Sequence, residues 1–149
     1  MATGLLNGTD LLLKAKSIGE ANEVVVAFAT SCSLEISADE IDQTNKDSGG
    51  WKSIIQGTRS WSVSADAMYQ NEAESSKKAF TDFFANVDAR TKVFVELTIA
   101  GALNADANVF YSGEAFVSSL SVNGGTEDQA TWSISLTGTG ALAETAVPV

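Results

Sequence analysis

The stretch from Ser60 to Met68, SWSVSADAM, constrains the fold more than any other in the chain. Trp61, Val63, Ala65 and Ala67 fall on one side, and Ser60, Ser62, Ser64 and Asp66 on the other. A period of two over that length marks a half-buried antiparallel strand, with one face on a core and the other in water. Immediately before it, residues 38–58 follow no convincing period, yet they contain Ile41, Trp51, Ile54 and Ile55. A loop of more than about 15 residues is uncommon in a compact domain unless it is functional or disordered. This one is too apolar for a solvated linker, and the expectation is a long loop that orders against something outside its own domain.

The remaining segments read mostly as strands. Asn7-Gly8 signals a tight turn before a strand at Thr9 to Ala15, and a run from Val24 to Ala29 follows a charged turn. Ser31 to Ala38 alternates, as do Lys92 to Ala100 and Ala130 to Gly140. From Val109 to Val122 the apolar phase slips by one, which predicts a β-bulge near Ser118–Ser119. One helix is expected at about 72–88, with Phe80, Phe83, Phe84 and Val87 as its apolar stripe. A capping box of Asn71 with Glu74 and a Glu74–Lys78 pair would support it. Trp61, Val63, Phe80, Phe83, Phe84 and Trp132 are the predicted core anchors, and residues 141–149 a flexible tail. The sum is one mainly β domain over residues 1–140, an antiparallel β-sandwich or barrel with one flanking α-helix.

Composition excludes more chemistry than it suggests. The 149 residues include no histidine, which removes histidine-based triads, imidazole metal ligands and a histidine pH switch. The single cysteine, Cys32, lies on an apolar strand face and reads as a buried core thiol. The formal net charge of −10 argues against tight electrostatic binding of nucleic acid or of an anionic membrane. The first residues lack a signal-peptide pattern, and no run approaches the apolar length of a membrane helix. A cytoplasm-like compartment, or exit by a route other than general secretion, is expected. The acidic group Asp39, Glu40, Asp42 and Asp47 fails the spacing of an EF-hand loop. No phosphate-binding loop, dinucleotide fingerprint or nucleophile elbow is found, so the chain reads as a non-enzyme without cofactor or metal. Several strands instead carry a face of Ser, Thr and small residues, suited to packing against copies of itself or to lining a water-filled bore.

Three segments carry a resemblance: NGTDLLL at Asn7 to Leu13, ATSCSLEISADEID at Ala29 to Asp42, and the run from Lys46 to Tyr69. In these the chain resembles the major tail protein family of long-tailed bacteriophages, the subunits of the tail tube. The resemblance implies a β-sandwich with a flanking helix. It also implies a virion protein, made in the host cytoplasm, that assembles into stacked six-membered rings around a bore conducting DNA without binding it specifically. Its implied partners are further copies of itself and other tail proteins, namely the tape measure, terminator and distal tail proteins, with no membrane. The long loop would be the arm touching a neighbouring copy through Lys46, Asp47, Trp51 and Lys52, with Ile54 and Ile55 adding apolar surface. Two other readings remain open. One is a carbohydrate-binding sandwich module using Trp51, Trp61 or Tyr69; the other is the tube protein of a contractile tail or secretion system.

Overall fold

A computed structural model describes residues 11–21, 24–26, 29–70, 77–99 and 108–147. Its strands, in chain order, are β1 (Leu11–Ser17), β2 (Val24–Val26), β3 (Ala29–Asp42), β4 (Ile54–Met68) and β5 (Lys77–Lys78). The helix α1 (Phe80–Asp88) follows, then β6 (Val93–Ile99), β7 (Asn108–Asn123) and β8 (Thr131–Val147). The eight strands form one sheet in the order β3-β4-β8-β7-β6-β1-β2-β5. All ladders are antiparallel except β2 with β5, so the sheet is mixed, where a purely antiparallel one was expected. The two layers are halves of this one sheet, which rolls until β3 returns to β1. There the Cys32 thiol reaches the Leu11 carbonyl at 3.6 Å.

The core lies inside the roll and follows the alternation read from the sequence. Trp61, Val63, Ala65 and Ala67 of β4, with Trp132, Ile134 and Leu136 beside them on β8, join one core with Leu13 and Ala15 of β1 and Val93, Val95 and Leu97 of β6. Trp132 anchors α1, its ring 5.7 Å from that of Phe83 and 6.1 Å from that of Phe80. Full burial of side chains this size contributes about 1.5–3 kcal/mol each.

Four expectations need correction. Residues 38–58 are not a structureless loop, because β3 and β4 continue through them as a hairpin, pairing Glu40 with Gln56, Ile41 with Ile55 and Asp42 with Ile54. The ladder skips between Ala38 and Glu40, so Gly57 and Thr58 oppose Asp39 alone, and that bulge breaks the sequence period. The helix begins at Phe80, not near residue 72, because Lys77 and Lys78 are drawn into a parallel pairing with Val25 and Val26. The Asp82 carboxylate then accepts the Ala79 N–H at 2.9 Å and fixes the helix start.

Phe84 is not a core anchor, being 58% exposed, while Asn86 is buried in its stead. Asn86 fits because its amide donates to Ser17 Oγ and the Asp82 carbonyl, and its oxygen accepts from Thr91 Oγ1. Finally, residues 141–147 are no tail but the end of β8, with Ala143–Val147 paired to the start of β7 from Asn108 to Ser112. The bulge expected near Ser118–Ser119 is present, with Ser118 the extra residue and its hydroxyl on the Ser135 carbonyl at 2.9 Å. The turn at Asn7-Gly8, the Asn71–Glu74 box with its Glu74–Lys78 pair, and the turn after residue 100 lie outside the described residues.

Candidate assembly surfaces

The outer end of the β3–β4 hairpin is an arm with an ordered tip. Gln43 N–H donates to the Ser53 carbonyl at 2.9 Å, and Ser53 N–H to Thr44 Oγ1 at 2.9 Å, closing the ribbon. Beyond them Lys46–Ser48 forms a single 3₁₀ turn. Asn45 caps it through its side-chain oxygen on Asp47 N–H, while Ser48 Oγ accepts from Asn45 N–H in return. Asp42, one of the acidic residues, accepts the Thr44 N–H at 2.8 Å, and bonding to Thr44 holds its carboxyl below the usual range. It shapes the turn. Among the described residues no group of three His, Cys, Asp or Glu side chains is gathered to hold a metal ion. No helix there is long and apolar enough to cross a membrane.

The six proposed contact residues are placed together at this end. Trp51 follows the turn and is 82% exposed, with Ile41, Ile54 and Ile55 also exposed along the ribbon. Lys52 lies 3.8 Å from Glu40, and Lys46 and Asp47 sit in the 3₁₀ turn itself. An arm this apolar in water is expected to find a cover.

At the root of the arm stands Trp61, paired with Ile36. Its indole lies on the backbone of Gly113 and Gly138, and its N–H donates to the Gly140 carbonyl at 3.1 Å. Gly140, at φ +80°, begins the detour by which residues 140–142 of β8 bulge opposite Gly113. Trp61 is thus enclosed and unavailable for stacking on a sugar, and Trp132 is buried too. The tryptophan left open is Trp51.

The second surface emerges only from the register of the strands. On the outside of β3-β4-β8-β7, paired positions run in rows across four strands. One row is Ser33, Ser64, Ser135, Ser119, and the next is Ser31, Asp66, Ser133, Ser121. A third is Glu35, Ser62, Thr137, Phe116, and Ser37 with Ser60 starts a fourth. Hydroxyls bond along the rows, Ser33 to Ser64 at 2.6 Å and Ser37 to Ser60 at 2.8 Å. Asp66, hydrogen-bonded by Ser133 and Ser31, keeps its carboxyl below the usual range. These rows hold carboxylates and no lysine or arginine. Past β7 the same outer surface changes character: Lys92 pairs with Glu114 at 3.1 Å, Lys14 with Glu96 at 3.6 Å, and Lys16 lies 4.8 Å above the Phe94 ring.

Comparison with known proteins gives a family and a shared fold. Residues 5–144 match the family described as phage tail tube protein. No curated protein matches the chain. Among solved structures, the fold is similar to a chain from the tail of an empty gene transfer agent particle with C6 symmetry. The TM-score is 0.77 at 22% identity, covering 95% of this chain and 100% of that one. It is also similar to the SPP1 tail tube, with a TM-score of 0.76 at 13% identity over 97% of this chain and 81% of that one. A chain from the baseplate of the anti-feeding prophage gives a TM-score of 0.72 at 12% identity, covering 100% of both.

Proposed function

The chain belongs to the phage tail tube protein family, a structural component of the virion tail and not an enzyme, and on that basis we propose that its copies close into six-membered rings stacked as a hollow tube. The observation that carries the reading is the arm, whose Trp51 is left open, and whose Ile41, Ile54 and Ile55 about half open, by the described residues of their own chain. A neighbouring copy supplies the cover. Specific contacts of this kind bury about 800 Å² on each partner, and the arm contributes a share of that on every copy. The C6 symmetry of the similar gene transfer agent tail supports six copies to a ring.

The serine rows are then the wall of the bore. Duplex DNA carries about one negative charge per 1.7 Å of its axis, and a wall of lysine and arginine would hold it by releasing counterions. Wall charges act over only about 8 Å at physiological salt, so what matters is the lining itself. Short hydroxyls with Glu35 and Asp66 offer the phosphates no cation, so no counterions are released to hold DNA in place. At the ends of the tube the exposed ring faces would meet the terminator and distal tail proteins, with the tape measure protein within.

The test is imaging. Concentrated protein, or the virions that contain it, is expected to show hollow six-fold tubes by negative-stain or cryo-electron microscopy. A strictly monomeric protein with the arm intact would overturn the proposal.

A further inference from the structure

Resting on the tube reading, we propose that the acceptor for the arm is the cleft between α1 and the bulge of β7 on a second copy, and that Trp51 enters it. The cleft has a volume of about 300 Å³ and is lined by Phe80, Phe84, Val87, Val117 and Leu120, with Ser118 and Ser119 at the bulge. Phe84 and Val87 are 58% and 43% exposed, an apolar helix face that the described residues of the chain leave open. Trp51 is the most exposed large apolar side chain described, and an enclosed tryptophan buries about 150–250 Å².

Position makes the match directional. The arm continues from the first residue of β4, whereas Tyr69, just past its last residue, packs on Phe80 with ring centroids 5.8 Å apart. The register sets Val117–Leu120 of the cleft level with Val63–Ala65 of β4, about ten residues from the strand's first residue, which at about 3.3 Å per residue places arm and cleft roughly 30 Å apart. The arm therefore points away from its own cleft, and a copy displaced along the strand direction brings a fresh cleft to it. Because donor and acceptor are different patches, the contact is heterologous and repeats from copy to copy. At the very tip, residues 43–53, Lys46 and Lys52 stand against Asp47, with Lys52 shared with Glu40 at 3.8 Å, and α1 carries Asp82 and Asp88 with no lysine or arginine. The larger groove at the arm's own root, lined by Ile36, Arg59, Tyr111, Leu142 and Glu144, lies beside the donor and offers no such displacement.

The experiment uses the full chain carrying C32S. The pair K52C with V87C is oxidised after assembly, and a ladder of linked subunits is expected that neither single cysteine variant gives. F84D and V87D, at exposed positions, are expected to raise the concentration for half-maximal assembly at least tenfold with unchanged monomer circular dichroism and melting. If wild-type tubes form but the paired cysteines give no ladder, the docking is overturned while the tube reading stands. The docking is likewise overturned if both F84D and V87D assemble as wild type, or if K52C instead links to L142C in the groove. Wild-type protein that never self-associates overturns the tube reading, and the docking with it.

Discussion

Trp61 and Gly138 share one space. The indole lies so close to the glycine backbone that a Cβ at position 138 would overlap Trp61 Cε2, and one at Gly113 would come within 2.6 Å of Cζ2. The ring thus lies over β7 and β8 where β8 begins its detour, and it ties the arm's root to the neighbouring strand β8 through Gly140. G138A is expected to destabilise the monomer by about 1–3 kcal/mol, the range for overpacking a filled core. Denaturant melts measure it. W61F leaves more room beside the added methyl, so G138A should cost less in that background.

Exposure of Trp51 makes the arm visible in solution. W51A should leave monomer stability within about 0.5 kcal/mol of wild type, as expected of a surface position. In the monomer, acrylamide should quench Trp51 and spare the buried Trp61 and Trp132. Assembly should abolish that quenching, and a Trp51 signal equally quenched in tubes would show the arm uncovered there.

The serine rows predict a gain of function by a single charge. S33K and S64K replace exposed hydroxyls, so folding and tube yield should be retained while the bore acquires cations. Tubes of either variant are expected to retain duplex DNA at low salt and release it as salt rises, the signature of counterion release. Wild-type tubes should retain none. Equal retention by variant and wild type would take these rows off the wall.

Acid should weaken the monomer through its lowered carboxylates, Asp42 in the arm and, in the body, Glu20 and Asp66. Lys78, buried and 2.6 Å away, is the main cause holding Glu20 below its ordinary value of 4.5, and Ser133 then Ser31 hold Asp66 below 3.8. A depressed folded-state value means the contribution is complete above the ordinary value and is lost as pH falls through the lowered one. Stability is therefore expected to be flat from pH 7 to about 5 and to fall below about 4.5. E20Q should flatten the upper part of that fall. A hydrogen bond between charged groups contributes about 1.5–3 kcal/mol, but Glu20 is 43% exposed, and with solvent screening E20Q should cost about 1 kcal/mol at neutral pH. Melts of both proteins across pH 3–7 measure these effects.

What the sequence revealed was local, and what it hid was tertiary. The alternation at Trp61 placed Trp61, Val63, Ala65 and Ala67 of β4 correctly on the core, and the slip at Ser118 is visible in the chain as a change of phase. The arm stayed unread because Gly57 and Thr58 face Asp39 alone, so no one period runs from body to tip. Lys77 and Lys78 look helical by themselves, and only the pairing with Val25 and Val26 makes them strand. Asn86 is buried where Phe84 was expected because its polar partners include Ser17 and Thr91, which no helical period reports. The serine rows are the clearest case. Each serine was legible, but the row joins four strands whose register lies in the ladders.

The arm leaves one end of β4 and the helix meets the other, so each subunit has a front and a back. A pile of such units inherits that arrow. It lengthens by offering the same unmet face each time, its two termini are never alike, and whatever finishes one of them will not fit the other.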